Sequence, residues 1–206
     1  MSAKIEARRE ALRQVLIAEG EGLVAAQGLG ALKARELAAR AGCALGAIYT
    51  HFADLDALAA LINARTLRRL EEAVAERFAS LPDRNPKTAL VALGTTYAGF
   101  VRANPLLWSA IFELGFRQGN GAQAPMDEHL RLLRLIAGAL RPLLPGAEET
   151  ILEHHARGLF SAVHGIVSLA EQRRFMAVAD EAVEAEITFI VEAFCDGLAA
   201  RNGLAS

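Results

Sequence analysis

"AARAGCALGAIYTHFADLDAL", residues 38–58, reads as two short helices meeting at a sharp corner and feeding a third. Ala38, Gly42 and Ile48 fall four and six residues apart, the arrangement a helix-turn-helix requires. Its first helix needs a small residue where the second crosses, and its turn needs a residue tolerant of positive φ. An aliphatic side chain from the second helix must then plug the crossing. The same triplet also suits a plain helical corner in a bundle, because Ala, Gly and Ile are common residues. The segment that would touch bases raises a second question. Leu45, Gly46, Ala47, Tyr49, Thr50 and His51 include no Arg or Lys.

Of the 206 residues, 53% are hydrophobic, and Gly and Pro fall between segments instead of forming tracts. That is the composition of an ordinary globular chain, neither disordered nor repetitive. The uncharged run "TALVALGTTYAGFV" between Lys87 and Arg102 is too short to span a bilayer, which takes roughly 20 apolar residues, so no membrane partner is expected. The N-terminus, "MSAKIEARRE", is charged at once and has no apolar stretch behind it. No secretory signal is expected, and the setting reads as cytoplasmic. Cys43 and Cys195 lie far apart and read as reduced, packed thiols, with no metal and no cofactor implied.

The net charge of −2 does not by itself suggest nucleic acid, but its distribution is uneven. Up to Phe52 the cations are Lys4, Arg8, Arg9, Arg13, Lys33, Arg35 and Arg40, against Glu6, Glu10, Glu19, Glu21 and Glu36. Seven against five makes this part +2, and the remaining 15 cations and 19 anions make the rest −4. That asymmetry permits a DNA role without demanding one.

Helical periodicity runs through almost every segment, and nothing alternates at period two for long enough to form a sheet. The first helix is expected over about residues 5–27, where Gly20 on the apolar face points to close helix packing. Short helices over 34–41 and 45–51 follow, then a long one over 54–80 with Asp54 as its N-cap. Asn85–Pro86 and Asn104–Pro105 each restart a helix, "RQGNGAQAP" is a surface loop, and helices over about 126–141, 148–173 and 180–201 complete nine.

Context decides how the corner is read. The long amphipathic first helix, "GLGALKARELAARAG" and "AIYTHF" together resemble the N-terminal domain of the tetracycline-repressor (TetR) family of bacterial regulators. The resemblance runs from about Arg13 to Leu61 without a gap. "NPLLWSAIFELGF" and "LFSAVHGIVSLA" are similar to a recurrent C-terminal type in that family, in which an aromatic precedes a His-Gly pair in the eighth helix. Phe160 stands where Trp is usual, and His164–Gly165 is intact.

That resemblance implies an all-α chain, with a three-helix DNA-binding domain over residues 1–53 and a larger ligand-binding and dimerisation domain over 54–206. It implies a palindromic double-stranded operator, a small-molecule effector and a homodimer, with no cofactor. Lys33, Arg35, Leu45, Gly46, Ala47, Tyr49, Thr50 and His51 are the implied DNA contacts. Tyr49 and His51 resemble the family's phosphate-contacting pair, Ala47 and Thr50 can meet base edges, and Lys4, Arg8 and Arg9 could follow the backbone as an arm. Two departures, at Ala44 and Leu55, make the reader lean, while Lys33 can restore one lost contact. The family commonly places Thr or Ser at the positions of Lys33 and Ala44, and usually Lys at Leu55, each touching phosphate.

Further along, Tyr97, Phe100, Trp108, Phe112, Phe116 and Phe160 cluster in three helices with His164, either as plain core or as the lining of an effector cavity. The lack of charge over 88–101 and 158–170 favours a largely apolar, neutral effector. The closing helices are apolar on two sides, so Leu159, Ala162, Ile166, Ile187, Ile190, Val191 and Phe194 are expected at a two-fold dimer interface.

Enzyme readings find no support. Adjacent His154 and His155 point about 100° apart on a helix, and no phosphate loop or nucleophile motif is present. Glu71–Glu72 and Glu148–Glu149 read as solvated faces. The expected function is a ligand-responsive repressor; the alternative is a dimeric ligand-binding module with weakened or lost DNA binding.

Overall fold

The computed structural model describes residues 2–83, 85–118, 126–171 and 178–203. Among these it contains nine α-helices and no strand: α1 (Ser2–Gln27), α2 (Ala34–Ala41), α3 (Leu45–His51), α4 (Leu55–Ala79), α5 (Pro86–Ala103), α6 (Pro105–Gln118), α7 (Met126–Leu140), α8 (Glu149–Glu171) and α9 (Val183–Arg201). No single described helix is long and apolar enough to cross a membrane. Two compact units divide the chain, Met1–Leu67 with Asn104–Met126, and Arg68–Ala103 with Asp127–Ser206. This division by packing runs through α4 after Leu67 and groups α6 with the N-terminal helices, whereas the functional boundary at 53/54 is an expectation about roles.

In the first unit, Leu16, Ile17, Leu23 and Val24 of α1 enter a core shared with Leu37, Ile48, Leu58 and Ile62. Gly20 lies where an added Cβ would come within 3.2 Å of Ile62 and 3.3 Å of Leu32, so the close packing read from its position is present. Leu107, Ala110 and Leu114 of α6 complete this core. Asn63 of α4, only 1% exposed, donates from Nδ2 to the Ala110 carbonyl at 3.2 Å. A buried amide is tolerable because it is bonded in this way.

The corner forms as the triplet requires. Gly42 takes the left-handed conformation at φ 63°, its N–H reaches the Ala39 carbonyl at 3.4 Å, and the Cys43 N–H reaches that of Ala38 at 3.0 Å. This is a Schellman closure, which satisfies the last carbonyls of α2 and favours glycine at its left-handed position. Ile48 plugs the crossing and is fully buried. Asp54 accepts from the Ala57 N–H at 2.7 Å and caps α4, as its position suggested. Asn85 does the same for α5, accepting from the Thr88 N–H at 3.0 Å.

The second unit is built on α5 packed against α8 and α9. Gly94 permits the approach of α5 to α9, since a Cβ there would lie 2.7 Å from Ile187 Cγ2. Glu71 departs from the solvated face expected of it. Its side chain is 19% exposed and pairs with Arg131 of α7 at 3.6 Å. Cys195 is fully buried on α9, with its thiol pushed up to about 11, chiefly by burial.

Candidate nucleic-acid interface and effector cavity

On α3 the side that carries Ile48 faces the core and leaves the opposite side to solvent. Leu45 is 44% exposed and Tyr49 53%, with Gly46 and Thr50 also exposed and Ala47 and His51 half-buried. Thr50 donates its hydroxyl proton to the Ala47 carbonyl at 2.7 Å, which fixes the rotamer it would present to a base. Lys33 and Arg35 stand exposed at the start of α2. Not every cation of the first unit is available to DNA. Arg40 pairs with Glu36 at 3.0 Å. Arg13 pairs with Glu10 at 3.7 Å and lies over the Phe52 ring, 5.7 Å from its centroid. The first residues do not form an extended arm, because α1 is helical from Ser2 onward.

Lys33 and Ala44 occupy the N-cap positions of α2 and α3 in extended conformation, and neither caps its helix with a side-chain hydrogen bond. Leu55, at the start of α4, is half-buried and packs against the core of this unit. A lysine there would give up apolar burial in exchange for a phosphate ligand.

In the second unit, Leu90, Leu93, Gly94 and Tyr97 of α5, Leu132 and Ile136 of α7, Leu159, Phe160 and Val163 of α8, and Val191 of α9 surround a cavity of about 30 Å³. Apart from the Tyr97 hydroxyl, every side chain in this lining is apolar. Tyr97 Oη and His164 Nδ1 share a hydrogen bond of 2.7 Å. Phe160 stacks on the His164 ring at 5.5 Å and 13°.

Of the aromatics expected here, Tyr97 and Phe160 line the cavity and His164 backs it. Phe100 is half-buried on α5 outside the lining. Trp108 and Phe112 form an edge-on pair at 5.4 Å in the other unit and are not among the residues that line this cavity. The Phe116 side chain lies outside the described residues. Aliphatic residues make up most of the wall, and reading aromatics alone misses them. Their signal is helical spacing: Leu90, Leu93 and Tyr97 on α5, Leu132 and Ile136 on α7, and Leu159 and Val163 on α8.

Burial pushes His164 below its ordinary value of 6.5. Below about pH 6.5 the unfolded chain therefore binds more protons at this ring than the folded chain does. The stability contributed by the neutral ring is complete above that pH and is lost as pH falls toward the folded value. The melting temperature should drop between pH 7 and pH 5, and drop less in His164→Gln, whose amide can still bond Tyr97. Identical pH slopes in the two proteins would remove His164 as the cause.

The expected dimer residues split into two groups. Leu159, Ile187 and Val191 are 3%, 0% and 1% exposed. They face the core of their own unit, which takes them out of any surface a second copy could cover. Ala162 is exposed, and Ile166, Ile190 and Phe194 are half-buried. Three exposed apolar residues share α8 and α9 with them: Phe189 at 65%, which the sequence places on the second apolar side of the last helix, and Ile151 at 45% and Leu169 at 40%, which the reading of the sequence missed. Among the described residues no group of three or more His, Cys, Asp and Glu side chains could hold a metal ion.

Both parts of the chain match known families. Residues 16–62 match "Bacterial regulatory proteins, tetR family", and residues 90–194 match "Tetracyclin repressor-like, C-terminal domain". The chain belongs to the TetR family. Solved structures share the fold at low identity. A protein of unknown function from Rhodococcus sp. RHA1 is 24% identical over 91% of this chain and 95% of its own, with a TM-score of 0.73. A TetR-family transcriptional regulator from Streptomyces coelicolor is 22% identical over 91% and 99%, with a TM-score of 0.66. A transcriptional regulator from Rhodococcus sp. Rha1 is 22% identical over 90% and 96%, with a TM-score of 0.64. No curated protein matches the chain in sequence. As a TetR-family chain it is a DNA-binding transcriptional regulator, and α2 and α3 are its helix-turn-helix.

Proposed function

We propose that this TetR-family regulator is a cytoplasmic, homodimeric repressor released from a palindromic operator by a small, neutral, mostly apolar effector. Residues 1–53 form its reading domain, and 54–206 bind the effector and dimerise. The observation that carries the DNA-reading part is the solvent face of α3, where Leu45, Gly46, Tyr49 and Thr50 stand clear of the core on a helix anchored by Ile48. The apolar wall around Tyr97 and Phe160 supports the effector class. The cavity of about 30 Å³ holds no more than a water-sized group, so a larger effector must part α5, α7 and α8 to enter. Repression is relieved if that displacement shifts α4, whose residues belong to both units. Such coupling is typically worth about 1–3 kcal/mol.

The second reading, a dimeric ligand-binding module with weakened DNA affinity, draws on Ala44 and the half-buried Leu55, neither of which can hold a phosphate. Selection from random duplexes, followed by salt-titrated binding, separates the two readings. Under the repressor reading one motif is enriched. Thr50→Ala then costs on the order of 1–3 kcal/mol on that motif and little on random DNA. Tyr49→Phe weakens both, because a phosphate contact positions without specifying. If no motif is enriched, the module reading is the better account.

A further inference from the structure

We propose that the first turns of α1 form a clamp for the phosphate backbone of duplex DNA, supplying the charge that Ala44 and Leu55 withhold; this rests on the DNA-reading function proposed above. Lys4, Arg8 and Arg9 line an open groove of about 830 Å³ whose far wall is Gly42, Cys43 and His51. The helical conformation of α1 fixes this arrangement: residues 4 and 8 share one stripe, and residues 5, 9 and 12 share the next. Three permanent cations and an imidazole therefore face one concavity that no carboxylate lines.

Neither acidic residue of the same turns, Glu6 or Glu10, lines the groove. Glu10 accepts from Gln14 at 2.6 Å and pairs with Arg13 at 3.7 Å. Lys4 and Arg8 are exposed and make no ion pair among the described residues. A basic concavity of this kind focuses positive potential and attracts an anionic partner.

The occupant follows from where the groove sits. Arg9 donates from Nη2 to the Thr50 carbonyl at 3.2 Å, at the C-terminal end of the reading helix. That bond fixes the groove beside the face that meets bases, and His51 belongs to both. A phosphate seated there is part of the same duplex that α3 reads. Lys4 and Arg8 are the phosphate ligands, and Arg9 is a positioning residue that holds α1 against α3.

The test compares the full-length wild type with the double variant Lys4→Gln/Arg8→Gln. Operator and random duplexes are titrated over a range of salt concentrations, and both proteins are put through selection from random DNA. Each phosphate contact removed should flatten the slope of log K against log salt by up to roughly 0.9. The enriched motif should be unchanged, since these contacts carry no base information. Arg8→Lys, which keeps the charge, should keep most of the slope. The exposed positions should leave the melting temperature where it was, which excludes unfolding as the cause. A double variant with the wild-type slope on the wild-type motif overturns the clamp and leaves the repressor reading standing. A wild type that enriches no motif and binds no duplex overturns both.

Discussion

Phe189→Glu should convert the protein from a dimer to a monomer at micromolar concentration and lower operator affinity by about two to four orders of magnitude. Phe189 is 65% exposed on α9, beside the half-buried Ile190 and on the helix that carries Phe194. With Leu169 and Ile151 exposed on α8, the closing helices carry three large apolar side chains that a second copy could cover. In the proposed dimer this ring is buried, and a carboxylate in its place would be desolvated without a partner. Operator affinity falls because two half-sites engaged by one particle gain roughly 10²–10⁴ from effective concentration, and a monomer loses that gain. The variant should stay folded, since the side chain contributes little to its own unit. Ile187→Glu is the contrast: that position is fully buried against α5, and the variant should fail to fold. Sedimentation measures both. A monomeric wild type, or a Phe189→Glu protein that sediments as a dimer, would count against the interface.

The contrast between Phe189 and Ile187 also marks how far the sequence could be read. Apolar periodicity told that α9 is apolar on two sides, which requires two partners. It did not tell which side meets which partner, because both are loaded with residues of similar size. The core side turned out to be Ile187, Val191, Cys195 and Leu198, spaced for one helical stripe, with a cysteine as a member of it. Phe189 stands on the outer side, while the half-buried Ile190 and Phe194 flank the core stripe.

The corner of α2 and α3 was more legible. There the requirement is local, as Gly42 must adopt a left-handed conformation within two residues of the bonds it closes. The caps at Asp54 and Asn85 were readable for the same reason. The placement of α6 was not. Its stripe of Leu107, Ala110 and Leu114 announces burial, but the choice of α1 and α4 as partners depends on packing across long sequence separations. With α6 went Trp108 and Phe112, which their placement on the middle helices of the sequence had grouped with Tyr97 and Phe160.

The most discriminating change in the reading head is at Gly46, where stability and affinity should move independently. Gly46 is exposed near the start of α3, and an added Cβ would meet nothing within 4 Å. Glycine in a helix costs up to about 1 kcal/mol relative to alanine, and leucine is a good helix former. Gly46→Leu should therefore leave the melting temperature unchanged or raised. In the proposed complex with DNA the absence of a side chain serves a different purpose, since it would let the backbone of α3 approach the floor of the major groove, where Ala47 and Thr50 would reach base edges. A leucine would hold the helix off the groove by the depth of its side chain, and both contacts would be lost together. With each specific contact worth on the order of 1–3 kcal/mol, the operator should bind at least tenfold more weakly. Random DNA, held mainly through phosphates, should lose much less. The ratio of the two affinities is thus the measurement, taken at one salt concentration on a variant shown to be folded and dimeric. A Gly46→Leu protein that keeps the wild-type ratio would mean that α3 does not approach the bases, whatever its phosphate contacts contribute. The lean composition of the helix would then have no part in reading sequence.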